Sequence, residues 1–185
     1  MFSLAKRVMK PFRAIADRVN HRWLYGGLIL GFIMKSVGAA WDVSYHFKHF
    51  RDFYQLPHLL NASGDALILI LLIYLWKKEP KRDRPQLKII MYGILVFLAA
   101  IGFDQWYHDV FGIDLTTWSP SHFMLYAGSF IALIGAFLYM LNDFRHSRIS
   151  QRAKTWLSLI FGYLIFDTLV FPLLQQEQFI STPAT

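Results

Sequence analysis

The sequence predicts an all-α, polytopic membrane helix bundle: five transmembrane helices built as a duplicated helical hairpin plus one further helix. Three observations carry that prediction. The 185 residues are 55% hydrophobic and 17% aromatic, with no Cys, which is too apolar a mixture for an ordinary water-soluble domain. Five apolar stretches are long enough, or nearly so, to cross about 30 Å of hydrocarbon as helices. The connections between them alternate between strongly basic ones and ones with few or no Lys or Arg.

Taken in order, residues 1–22 form a basic, amphipathic N-terminal segment, and the first span runs from Trp23 to Trp41. SVGAA at 36–40 loosely resembles a signal-peptidase site. The apolar stretch is longer than a usual signal core and is interrupted by Lys35, so the segment is read as a retained span. The second span, His58 to Trp76, opens on a Pro-His pair. A basic connection, KKEPKRDRPQLK, leads to the third span, Leu87 to Phe103, and a long polar connection leads to the fourth, His122 to Leu141. Trp156 to Leu174 is the fifth span, and 175–185 is a tail. The hairpins are therefore expected at about 23–76 and 87–141. Gly27, Gly31, Gly38, Gly128 and Gly135 are expected where helices approach closely, and Met34, Met91, Met124 and Met140 are read as packing residues.

Basic residues set the orientation. Residues 1–22 hold six Lys or Arg, 77–88 hold six and 143–154 hold four, whereas 42–57 hold two and 103–121 and 175–185 hold none. The positive-inside rule places the N-terminus in the cytoplasm and the tail outside, in a multi-pass protein of the cell membrane. The net charge of +7 is then a topology signal on short loops facing anionic lipid. It gives no support to nucleic-acid binding. Nucleophile elbow, phosphate loop and dinucleotide fingerprint are all lacking.

The chemistry lies in the two outer connections. WDVSYHFKHFRDFYQLPH (41–58) and FDQWYHDVFGIDLTTWSPSH (103–122) repeat one pattern. With Asp42 set on Asp104, Tyr45-His46 falls on Tyr107-His108 and Asp52 on Asp114. After two inserted residues, Pro57-His58 matches Pro120-Ser121-His122. Asp and His at i and i+4 share one face of a helix end. Pro favours a first helical turn, so His58 and His122 should open the second and fourth spans. If each outer connection folds back over its own hairpin, Asp42, His46 and His58 converge, and so do Asp104, His108 and His122. Two imidazoles and a carboxylate suit zinc, non-haem iron or copper. A lone interfacial His is usually just a hydrogen-bonded residue; recurrence at one topological position is what favours metal. His49 has no counterpart and is read as interfacial. Asp52, Asp109 and Asp114 are candidate acceptors that orient an imidazole.

These residues resemble a known family. Asp42, His46 and His58, with RDF at 51–53 and the Pro-His, resemble a metal-binding segment in the copper membrane monooxygenases, the particulate methane and ammonia monooxygenase family. That segment belongs to an all-helical membrane subunit of the complex. Asp104, His108 and His122 with SPSH are similar to the neighbouring second site of the same subunit. The resemblance covers about 80 residues, from Trp41 to Tyr126. The chain departs from it with Asp104 where the family usually has Asn, and with LPH where it commonly has PSH. The resemblance implies copper at the outer face of the bilayer. It also implies two partner subunits in a trimeric complex that hydroxylates methane, ammonia or short hydrocarbons with O2. From the residues alone, two other readings stand beside it: a non-catalytic protein that delivers or senses copper, and a zinc-dependent membrane hydrolase.

Charges inside the spans are the last signal. Lys35 precedes Asp42 by seven residues and Asp65 follows His58 by seven, so both should lie roughly 10 Å beneath the outer rim at about 1.5 Å rise per residue. Such charges cost about 2.5–3.5 kcal/mol each on insertion scales, so they turn inward and pair. A Lys35–Asp65 ion pair is expected, as a structural clamp in preference to a proton path. Asp167, deep in the fifth span, has no partner assignable from sequence.

Overall fold

The structure is a computed structural model that describes residues 21–46, 56–78, 84–111, 118–144 and 149–181. Five α-helices occupy them: α1 (His21–His46), α2 (Leu56–Lys78), α3 (Arg84–Phe111), α4 (Pro120–Asp143) and α5 (Gln151–Ser181). Each contains a stretch long and apolar enough to cross a membrane. The expected all-α bundle of five spans is the observed fold, and the chain is a multi-pass membrane protein.

The helices outrun the apolar stretches. Hydropathy falls at Phe103, the expected end of the third span, yet α3 continues for two more turns to Phe111. Within this extension Gln105 Nε2 donates to Asp109 Oδ1 at 3.1 Å, an i, i+4 bond on the helix surface. Phe103 stacks on Trp106, with ring centroids 5.6 Å apart. Polar and aromatic residues thus sustain the helix beyond its most apolar stretch. Likewise α5 begins at Gln151 and runs to Ser181, through Pro172, rather than spanning 156–174.

Packing makes two tight hairpins. The closest helix pairs are α1 with α2 and α3 with α4; α5 lies against α4 and α1. Each hairpin crosses at a pair of glycines. A Cβ on Gly64 would lie 2.6 Å from Gly31 O, and one on Gly128 would lie 2.9 Å from Gly93 O. These are the same place in two copies. Gly93 follows Gly31 by 62 positions, as Asp104 follows Asp42; Gly128 follows Gly64 by 64, as His122 follows His58. The neighbours repeat as well. Gly31 packs on Ile68 and Gly93 on Ala132, while Gly64 meets Lys35 N and Gly128 meets Phe97 N. The two hairpins are one design used twice, down to the backbone contacts.

Of the glycines expected at close approaches, Gly31, Gly38, Gly128 and Gly135 face a neighbouring backbone within about 3 Å, whereas Gly27 meets only the side chain of Leu71. Gly64 and Gly93 are the partners that complete the two crossings. At the end of the bundle away from the Asp/His motifs, Tyr25 OH donates to Asp143 Oδ2 at 2.6 Å. Lys154 Nζ donates to Phe144 O beside it, so α1, α4 and the start of α5 are tied together.

Candidate metal centre

Asp104 and His108 sit one turn apart on the extended end of α3, and His122 sits in the first turn of α4. Two helix ends therefore bring the three together, and the connection between them, 112–117, lies outside the described residues. The entry to α4 is built for this. Pro120 occupies the first turn, where it has no N–H to leave unpaired. Ser119 is the N-cap, and its hydroxyl accepts from His122 N–H at 3.2 Å. The Ser119 and Ser121 hydroxyls lie 3.1 Å apart, both buried. Metal-ligand spacing within SPSH gives these serines no role. The signal that marks them is a Ser-Pro at the head of an apolar run, the N-cap and N1 pair of a helix start.

One ligand atom each from Asp104, His108 and His122 can be chosen so that all lie within 4.8 Å of one another. Asp104 Oδ2 is 3.5 Å from His108 Nε2, and Asp104 Oδ1 is 3.5 Å from His122 Nε2. The imidazole rings meet edge to face, with centroids 5.8 Å apart. A tetrahedral ion with bonds of about 2.0–2.2 Å holds its ligands about 3.3–3.6 Å apart. Each carboxylate–imidazole separation matches that value from a different oxygen of Asp104, so an ion on one oxygen needs the ligand atoms, all within 4.8 Å of one another, to draw closer. Asp104 Oδ1 is buried and accepts no hydrogen bond among the described residues, because His122 Nε2 stands too far away for one. A buried carboxylate oxygen left in this way is expensive unless a cation or donor reaches it. The residues present fit a metal ion.

The three side chains are 19–24% exposed, so an ion held there is reachable from one side. Asp109 accepts from Gln105 on the outer surface of α3 and does not orient a ligand imidazole; Asp52 and Asp114 fall outside the described residues, as does His49.

The first hairpin presents the same elements in a closed arrangement. His58 Nε2 lies 2.9 Å from Asp42 Oδ1, shorter than the edge between two ligands of one ion, in a geometry that gives this buried oxygen no aligned hydrogen bond, as at Asp104 Oδ1. These two groups have to part before both bind a metal. The α1 helix includes His46, whose side chain is not among those described, so the third member of this triad is placed only by its helix.

Two turns beneath Asp42 and His58, the expected ion pair is present. Lys35 Nζ stands 2.7 and 2.6 Å from the two carboxylate oxygens of Asp65. Asn61 Oδ1 lies 3.4 Å from the ammonium, and the ring of Phe97 covers it, 3.2 Å from centroid to Nζ. Lys35 and Asp65 are 5% and 6% exposed. The pair thus joins α1 to α2 and presses on α3 of the other hairpin. Asp167, by contrast, is half-buried in α5 and makes no hydrogen bond or ion pair among the described residues.

Comparison of the chain with protein-family models, with curated proteins and with solved structures finds no match.

Proposed function

We propose that this chain is a copper-binding integral membrane subunit, similar to the metal-binding helical subunit of the copper-dependent monooxygenases that use O2 on ammonia, methane or short hydrocarbons. In this reading Asp104, His108 and His122 hold the ion at the non-cytoplasmic rim, with the basic connections in the cytoplasm. Asp42, His46 and His58 form the equivalent set on the first hairpin. Such a subunit works with two further membrane subunits on a small substrate.

The single observation that carries metal binding is the convergence of Asp104, His108 and His122 from two helix ends, with a buried carboxylate oxygen left for a cation. Copper, in preference to zinc or iron, rests on the resemblance of the two outer motifs. When bound, copper supplies one-electron chemistry toward O2. The chain's own part is to hold two imidazoles and a carboxylate in a fixed fork. Ser119 anchors the backbone of His122, and the i, i+4 spacing anchors His108 on Asp104.

The partial exposure of all three ligands favours one second reading, a protein that takes up and releases copper without turnover. A zinc hydrolase is the third reading that the donor set admits.

Metal analysis of the protein purified from membranes, with electron paramagnetic resonance, tests the proposal. The expected result is copper with a nitrogen-coordinated signal that His122→Ala and His108→Ala remove. Zinc without a signal overturns copper, and metal content untouched by both substitutions overturns the site. Co-purification with two further membrane subunits supports the oxygenase; a single chain that exchanges copper freely supports delivery.

A further inference from the structure

Between the two hairpins, at the end of the bundle opposite the Asp/His motifs, α2 and α3 leave a cleft of about 380 Å³ lined by Ile73, Trp76, Lys88, Met91 and Tyr92. Its volume is at the lower end of what holds an organic ligand, about 300–1,000 Å³. The walls are ordered by depth. On α3, Tyr92 and Met91 lie one turn inside Lys88; on α2, Ile73 lies one turn inside Lys77, which shares its face by i, i+4 spacing. Tyr92 and Ile73 are exposed, so the cleft opens sideways to the bilayer. Apolar walls therefore run into the membrane, with Lys88 at the edge of the cleft and Lys77 one turn beyond Ile73 on the same face of α2. Among the described residues of this end, α2 from Ile73 onward and α3 up to Tyr92 carry no carboxylate.

We infer that this cleft is a binding site for an anionic phospholipid, with one acyl chain between α2 and α3 and the phosphate at Lys88 and Lys77. Charge complementarity decides the occupant. A neutral lipid or a neighbouring helix of a second copy satisfies the walls and leaves the two cations unused, whereas basic clefts between spans match lipid phosphates. Trp76 and Tyr92 are amphipathic rings suited to the depth of lipid phosphates. The inference stands on the membrane fold alone and not on the metal site.

The experiment reconstitutes the full chain in vesicles of equal phosphatidylcholine and phosphatidylglycerol, extracts it gently and measures retained lipid by native mass spectrometry. One phosphatidylglycerol is expected to remain in preference to phosphatidylcholine. Lys88→Ala is expected to lower its retention about fivefold, while Lys78→Ala, which removes the same charge off the cleft face, leaves it unchanged. Met91→Trp fills the cleft with all lysines intact and is expected to abolish retention; Ile73→Trp does so from the other wall, should the first variant fold poorly. Equal retention of the two lipids overturns the site as an ordinary lipid annulus. Equal losses from Lys78→Ala and Lys88→Ala, or retention unaffected by both Trp variants, reduce it to diffuse surface charge and overturn it too.

Discussion

The two hairpins share a frame and differ in what they place inside it. Both cross at a glycine pair in matching register, and both end in Asp-x3-His on one helix and a Pro-linked His on the next. At the crossing, however, the first hairpin has Lys35 and Asp65 where the second has Phe97 and Ser129, the residues at the same offsets. Lys35 and Phe97 occupy equivalent positions and touch each other, which puts them where the two copies face one another. The backbone contact depends on a missing Cβ on both helices of the crossing, so neither glycine can change alone. Side chains around it vary because several combinations fill the same space. The rims differ similarly: carboxylate and imidazole are 2.9 Å apart in the first hairpin and 3.5 Å apart in the second.

Breaking the shared frame should give the largest effect. Gly128→Leu and Gly64→Leu place a side chain against backbone atoms at 2.6–2.9 Å, which have no flexible end to yield. Each is expected to cost about 3 kcal/mol or more, the upper end of overpacking penalties, read as loss of folded protein in detergent titration. Gly162 and Gly102 have nothing within 4 Å of an added Cβ. Gly162→Ala and Gly102→Ala are therefore expected to be neutral or to stabilise by about 0.5–1 kcal/mol through helix propensity. Equal behaviour of crossing and open glycines would dissolve the comparison of frames.

The inserted charge pair comes next. Lys35→Met leaves a buried carboxylate and should cost about 3–5 kcal/mol, less whatever Asp65 recovers by taking up a proton. Lys35→Met combined with Asp65→Ser gives the first hairpin an uncharged crossing like that of the second, and is expected to recover most of the loss. A double variant as unstable as the single one would show that the first hairpin needs charge where the second does not. The coupling between the two changes is read from a double-mutant cycle.

This pair was legible in the sequence because its logic is local: two charges at one depth on adjacent spans have only each other. The five spans were legible for a similar reason, since apolar length alone fixes them. The extension of α3 to Phe111 was hidden, because hydropathy falls along it while Gln105, Asp109 and aromatic rings sustain the helix. Gly64 and Gly93 were hidden for another reason. A glycine's role in a crossing depends on what stands opposite, and one helix's sequence does not say. At the candidate centre, Asp104, His108 and His122 could be named from spacing and repetition. The sequence did not show that helix ends would carry them, nor that the first hairpin would be closed by an Asp42–His58 contact.

The rims give the third prediction. In the second hairpin one ligand atom from each residue lies within 4.8 Å of the others, so His108→Ala should lower metal affinity by more than the 10–100-fold typical of outer partners. His58→Ala should affect only the metal that binds after Asp42 is released, so its loss should appear in the weaker step of a titration. If both variants remove the same tight step, the two triads act as one site and the contrast between the hairpins ends at their crossings.

The smallest effect is also the most specific to the second hairpin. Ser119 caps α4 through His122 N–H, whereas the residue before Pro57 is Leu56, already the first residue of α2. Ser119→Ala removes a cap worth about 1 kcal/mol and frees the backbone that carries a ligand, so a loss in metal affinity of roughly 10-fold is expected with it. A pure stability loss with unchanged affinity would mean that the helix start, and not the orientation of His122, is what the serine serves. Ser119→Asp separates the two effects: it restores a cap and places a carboxylate at the positive end of α4. Stability is then expected to return. Affinity returns with it only if orienting the His122 backbone is what matters, and the measurement that decides is a metal titration of the three proteins at one pH.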